Sequence, residues 1–166
     1  MIILATDYSV LCKLGGFVNS TLEIVSSYPS LDVSSESEIL SKCFPIGSKV
    51  GDYIIDKYRK YSVLSYVFKV LQEDNRDDLL TFSLLLGKRD NTEIYKPVIK
   101  ELINVLEANG FLTERVLTEY QQTIFEGMNE EKDINIENVV IDFSRIFTDI
   151  KSKIIKQKPN VKGSFF

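Results

Sequence analysis

The stretch that decides the fold is YIIDKYRKYSVLSYVFKVLQEDNRDDLLTFSLLLGKRDNTEIYKPVIKELINVLEAN, Tyr53 to Asn109. Its first half repeats every two residues. Leu64, Tyr66, Phe68 and Val70 share one face, with Val63, Ser65, Val67 and Lys69 on the other. Leu80, Phe82, Leu84 and Leu86 stand opposite Thr81 and Ser83 in the same way. Period-two alternation with one oilier face predicts half-buried antiparallel strands over Tyr61–Val70 and Leu79–Leu86. Tyr53–Tyr58 is a shorter strand, and Arg59-Lys60 makes the turn. Between Gly87 and Thr92 the period changes. Ile94, Val98, Leu102 and Leu106 recur every four residues, with Ile99, Ile103 and Val105 beside them, which predicts an amphipathic helix. Pro97 fits only its first turn, so the helix starts near Glu93 to Lys96. Asn109-Gly110 stops it.

Upstream, Tyr8–Leu14 and Leu22–Tyr28 read as a hairpin around Gly15-Gly16. Ser34 to Cys43 reads as a short helix, with Ser34 or Ser35 as N-cap and Glu38 closing a capping box from Ser35. Downstream, Thr113 caps a helix whose face is Val116, Leu117, Tyr120 and Ile124. Residues 127–135 are polar and read as a loop. Ile136, Val140, Phe143, Phe147, Ile150 and Ile154 follow at 4-3-4-3-4 spacing, a heptad-like stripe. The organisation expected is therefore an α+β domain over 1–126, a polar loop 127–135, an amphipathic helix 136–157 and a basic flexible tail 158–166. The fold class is a five-stranded antiparallel sheet flanked by helices, one-sided, with an extra C-terminal helix.

The chain has 166 residues, 44% hydrophobic and 27% charged, which suits one globular domain. Its net charge is −4. Lys151, Lys153, Lys156, Lys158 and Lys162 stand together with no acid among them, which leaves the preceding part near −9. An acidic body argues against nucleic acid as partner, and the basic end suggests a separate task. Cys12 and Cys43 lack metal-ligand spacing. Met1 to Ala5 lacks the basic flank and length of a signal h-region. Reduced thiols and a cytoplasmic location are expected.

Histidine is absent, so no Ser-His or Cys-His nucleophile pair exists in the chain. No phosphate-cradling glycine motif occurs. Gly15-Gly16 and Gly47 to Gly51 read as turns. Asp74, Asp77 and Asp78 with Arg76 read as a solvated inter-strand turn rather than as an acid–base pair. Tyr53, Tyr58, Tyr61 and Tyr66 read as sheet residues. The expectation is no catalytic residue, no cofactor and no metal. The stripe residues Val140, Phe143, Phe147, Ile150 and Ile154 are the candidate partner-binding face. Lys151, Lys153, Lys156 and Lys158 with Phe165 and Phe166 are candidates for contact with an anionic membrane surface.

The element order is strand, strand, short helix, three strands, two helices. With EIVSSYPSL (Glu23–Leu31), CFPIGSKVGDYI (Cys43–Ile54) and YSVLSYVFKV (Tyr61–Val70), it resembles the longin-like fold, including the longin-type modules of DENN-like trafficking proteins. The resemblance covers about Tyr8 to Phe125 and is one of shape. It implies a non-enzymatic platform that pairs through sheet edges or helices and binds small GTPases or joins exchange-factor complexes. No catalytic residue is carried over. The expected function is thus an interaction scaffold that dimerises or joins a complex acting on small GTPases or membrane traffic. The alternative is a small-molecule sensor, profilin-like or PAS-like, with a ligand between sheet and helices.

Overall fold

A computed structural model describes residues 6–16, 20–71, 77–87 and 90–157. The strands are β1 (Thr6–Leu14), β2 (Leu22–Tyr28), β3 (Tyr53–Tyr58), β4 (Tyr61–Leu71) and β5 (Asp77–Leu86). They form one sheet in the order β2-β1-β5-β4-β3, antiparallel throughout. A 3-10 turn at Val33–Ser35 leads into α1 (Glu36–Cys43), which lies between β2 and β3 in sequence. After the sheet come α2 (Thr92–Ala108), α3 (Glu114–Glu119), α4 (Gln121–Glu130), the hairpin β6 (Ile134–Ile136) and β7 (Val139–Ile141), and α5 (Phe143–Gln157). The α+β class, the five-stranded antiparallel sheet and the C-terminal helix are as expected.

The register explains the core. Leu11 and Tyr66 both pair with Phe82, and Leu64 pairs with Leu84, so large apolar side chains line one face. Leu102, Val98, Ile99 and Leu106 of α2 lie in the same buried cluster as Phe82. On the other face Val10 and Ser65 flank Ser83, and Cys12 and Val67 flank Thr81. That face is buried too. Val10, Cys12, Val63 and Leu85 pack with Ile39, Cys43 and Phe44 of the α1 region. The one-sided sheet is thereby corrected. A strand with small polar residues on its second face looks solvated in sequence, yet here a helix covers it.

Several local expectations change. Asp32, not Ser34 or Ser35, caps the turn before α1, accepting from Ser34 N, and the Ser35 side chain caps nothing. Asn91 Oδ1 caps α2 through Glu93 N at 2.9 Å, and Thr92 begins the helix, so Pro97 stands beyond the first turn. Thr113 caps as expected, with Oγ1 3.1 Å from Val116 N. The helix then breaks at Tyr120 into α3 and α4.

The largest correction concerns 127–141. The stretch read as a polar loop carries the end of α4, and Gly127, Met128 and Asn129 are buried. A Cβ at Gly127 would sit 2.5 Å from Ile134 Cγ2 and 3.1 Å from Phe143 Cδ2, so glycine permits close approach here. The stripe from Ile136 to Ile154 is not one helix. Ile136 and Val140 belong to the β6–β7 hairpin, whose turn places Glu137 at φ 56°, and α5 starts only at Phe143. Two apolar residues four apart fit a helix, but they fit the arms of a tight hairpin equally. Asp142 marks the true helix start, its Oδ1 accepting from Arg145 N at 3.3 Å. The boundary drawn at 126 falls inside α4, and the residues beyond it share the α2 core.

Candidate interaction surfaces

The C-terminal stripe is spent largely within the chain. Phe143 and Phe147 are fully buried, and the Phe147 ring meets Tyr95 of α2 edge-on at 5.6 Å. Ile150 is half-buried against the same core, and Ile154 is half-buried further along α5. Of the five candidate partner-binding residues, Val140 alone is strongly exposed, on β7. Phe143 and Phe147 are therefore corrected from partner contacts to core residues. An amphipathic stripe cannot reveal whether its cover is in cis.

The basic end is partly tied down as well. Lys151 Nζ lies 2.6 Å from Glu131 Oε2 and 5.8 Å from the Phe147 ring centre. Lys153 is exposed and lines a groove of about 210 Å³ with Pro97, Glu101, Ile146, Asp149 and Ile150. The Lys156 side chain, Lys158, Phe165 and Phe166 lie outside the described residues, as do Asp74 and Arg76. Asp78 is buried, accepting from Gly16 N at 2.8 Å, and so is no solvated turn residue. Burial pushes the Tyr95 hydroxyl pKa up, with Asp90 and Glu131 adding to it.

The two ends of the sheet differ. At β2, Ser26 Oγ donates to Gln121 Oε1 of α4, and Tyr28 meets Phe125 at 5.3 Å. Among the described residues β3 pairs only with β4, so its outer edge is open. The loop before it is built, not slack. Ser48 Oγ donates to Pro45 O at 2.6 Å, Lys49 N to Asp52 Oδ2 at 2.9 Å and Gly51 N to Val67 O at 2.8 Å. Gly47 and Gly51 sit at φ 92°, where glycine is at ease. This frame holds Ile46 out at 96% exposure, with Val50 at 55% and Ile55 of β3 at 48%.

Under α1 lies a buried layer of small polar groups. Ser65 Oγ and Ser83 Oγ share a hydrogen bond of 2.6 Å. Cys12 and Cys43 are free, buried thiols in hydrogen-bond contact. The contact with Cys43 and then burial push the Cys12 thiol well above its usual pKa. At one end of this layer is a recess of about 150 Å³ between the β3–β4 turn and the start of α1, lined among others by Tyr8, Asp32, Ser35, Tyr58, Arg59 and Tyr61. Tyr58 is 4% exposed and its hydroxyl has no hydrogen-bond partner. An orphaned buried hydroxyl costs about 1–3 kcal/mol. Arg59 stands at φ 54° with its guanidinium carbon 5.2 Å from the Tyr58 ring centre. Alternation placed Tyr58 in the sheet, but no local signal shows that its hydroxyl lacks a partner. Among the described residues no three or more His, Cys, Asp or Glu come together as a metal site, and no helix is long and apolar enough to cross a membrane.

No protein-family model matches this chain, and no characterised protein matches it in sequence.

Proposed function

We propose that the protein is a non-enzymatic interaction scaffold of the longin-like kind. It dimerises or joins a complex that acts on small GTPases or membrane traffic in the cytoplasm. The observation that carries this is the open β3 edge beside a hydrogen-bonded loop presenting Ile46 and Val50. Free strand edges and projecting apolar side chains are what soluble proteins otherwise blunt or cover. The longin-like resemblance supports the same reading: the chain runs two strands, a short helix and three strands, and then continues into helices. The partner surface is assigned to the exposed Ile46, Val50 and Ile55 in place of the buried Phe143 and Phe147. Contact with an anionic membrane rests on the lysines near the chain's end, of which Lys151 already has an acidic neighbour.

The test is the light-scattering mass of the pure protein, then capture of small GTPases or exchange-factor subunits from a native lysate. Ile46→Asp with Ile55→Lys should abolish the larger mass or the capture while leaving the melting temperature unchanged. If neither the mass nor the captured set changes, the scaffold reading fails. Vesicles of anionic lipid at low salt test the membrane part separately.

A further inference from the structure

The recess between the β3–β4 turn and α1 is lined by both polar and apolar side chains. Leu31, Ile39 and Leu85 line it together with the Tyr8, Tyr58 and Tyr61 rings. The Tyr8 and Tyr61 rings meet edge-on at 6.0 Å, which stiffens that wall. The Tyr58 hydroxyl is buried and unpartnered, and the Ser35 side chain makes no capping bond. Among the described residues Arg59 forms no ion pair, and its guanidinium stays over the Tyr58 ring. Asp32, the one acid lining the recess, is engaged by Ser34 N at 3.4 Å and Ser34 Oγ at 3.0 Å. The hydroxyls here can each donate as well as accept, the carboxylate of Asp32 is already engaged, and Arg59 is the cation among the lining residues.

We infer that this recess binds a small carboxylic acid with a short apolar body. The carboxylate meets Arg59 and the Tyr58 hydroxyl, and the body lies against Leu31, Ile39 and Leu85. A guanidinium suits a planar carboxylate, which it can grip with two parallel hydrogen bonds. The volume equals roughly five waters, which is the scale of benzoate or a branched short-chain acid. Inorganic phosphate fits less well, because Leu31, Ile39 and Leu85 offer its oxygens no partners. The inference is independent of whether the β3 edge takes a protein.

The experiment is a titration of the full chain with sodium benzoate and with 3-methylbutanoate, followed by calorimetry and by amide NMR shifts. Benzamide, inorganic phosphate and a peptide ending in free leucine are the controls. Saturable binding of a free acid at about 1 mM or tighter is expected, with shifts at Ser35, Tyr58 and Arg59. Two variants keep the test clear of unfolding. Arg59→Gly suits the positive φ, and Tyr58→Phe removes only the orphaned hydroxyl. Arg59→Gly should weaken binding about tenfold or more, and Tyr58→Phe should weaken it measurably. Both should melt at or above the parent temperature. Absence of saturation, equal binding by both variants, or equal binding of benzamide would overturn the assignment. Binding of the peptide but not of the free acids would overturn it too, placing the carboxylate on a protein chain.

Discussion

The two faces of the sheet are built from different stock. Under α2 the register stacks Leu11, Phe82 and Tyr66 beside Leu64 and Leu84, and α5 backs the helix with Phe143 and Phe147. Under α1 it stacks Val10, Ser83 and Ser65, then Cys12, Thr81 and Val67. The first face buries large volumes and holds most of the cluster that keeps the chain folded. The second lets a short helix approach over small side chains, anchored by Ile39, Cys43 and Phe44 and by the Lys42–Asp56 ion pair at 3.6 Å. The larger buried cluster is on the α2 side; the recess lies on the α1 side, whereas Ile55 of the open β3 edge shares the α2 face with its register partner Leu64. Functional surfaces tend to draw on the less stable parts of a fold.

The sharpest way to break this comparison is Phe147→Ala. If α5 belongs to the main core, the loss should be about 3–5 kcal/mol in a denaturant melt. A loss under about 0.5 kcal/mol would return α5 to the role of a detachable partner helix. Leu102→Ala probes the same face at its centre and should cost about 2–5 kcal/mol. The polar layer should behave differently. Ser83→Ala strands the Ser65 hydroxyl and should cost about 1–3 kcal/mol, whereas the Ser65→Ala, Ser83→Ala double variant should recover much of it. A double variant that simply adds the two single losses would show that the pair is not coupled. The smallest effect is expected at α1. Ile39→Val should cost about 0.5–1.5 kcal/mol. In native-state hydrogen exchange the α1 amides should open before those of α2; equal protection of both helices would mean that the two faces are equally firm.

Alternation made β4 and β5 legible, because a strand that buries one face must place Leu80, Phe82 and Leu84 at every second position. The α2 helix was legible because its apolar stripe is wide and Asn109-Gly110 ends it. The hairpin β1–β2 and the turn at Arg59-Lys60 were legible from their flanking runs. The recess was not. Its walls come from β1, α1, β3, β4 and β5, and its one telling atom, the Tyr58 hydroxyl, matters only for what it fails to touch. The glycines of the projecting loop mark a turn in the sequence, but the exposure of Ile46 depends on how Asp52 and Val67 pin it.

The sequence by itself determined the element types over Tyr8–Leu106, the α+β class, the lack of a histidine-based nucleophile pair and the acidic body. Those follow from composition and from periods of two and 3.6, which are local properties of the chain. Only the tertiary structure decided that α1 closes the second face, that Ile136 and Val140 form a hairpin rather than a helix, and that Phe143 and Phe147 are covered in cis. An apolar stripe states that it must be covered, and Ser65, Ser83 and Gly127 state that something small is wanted. What does the covering comes from elements far apart in sequence, brought together when β1 pairs with β5 and α5 settles on α2.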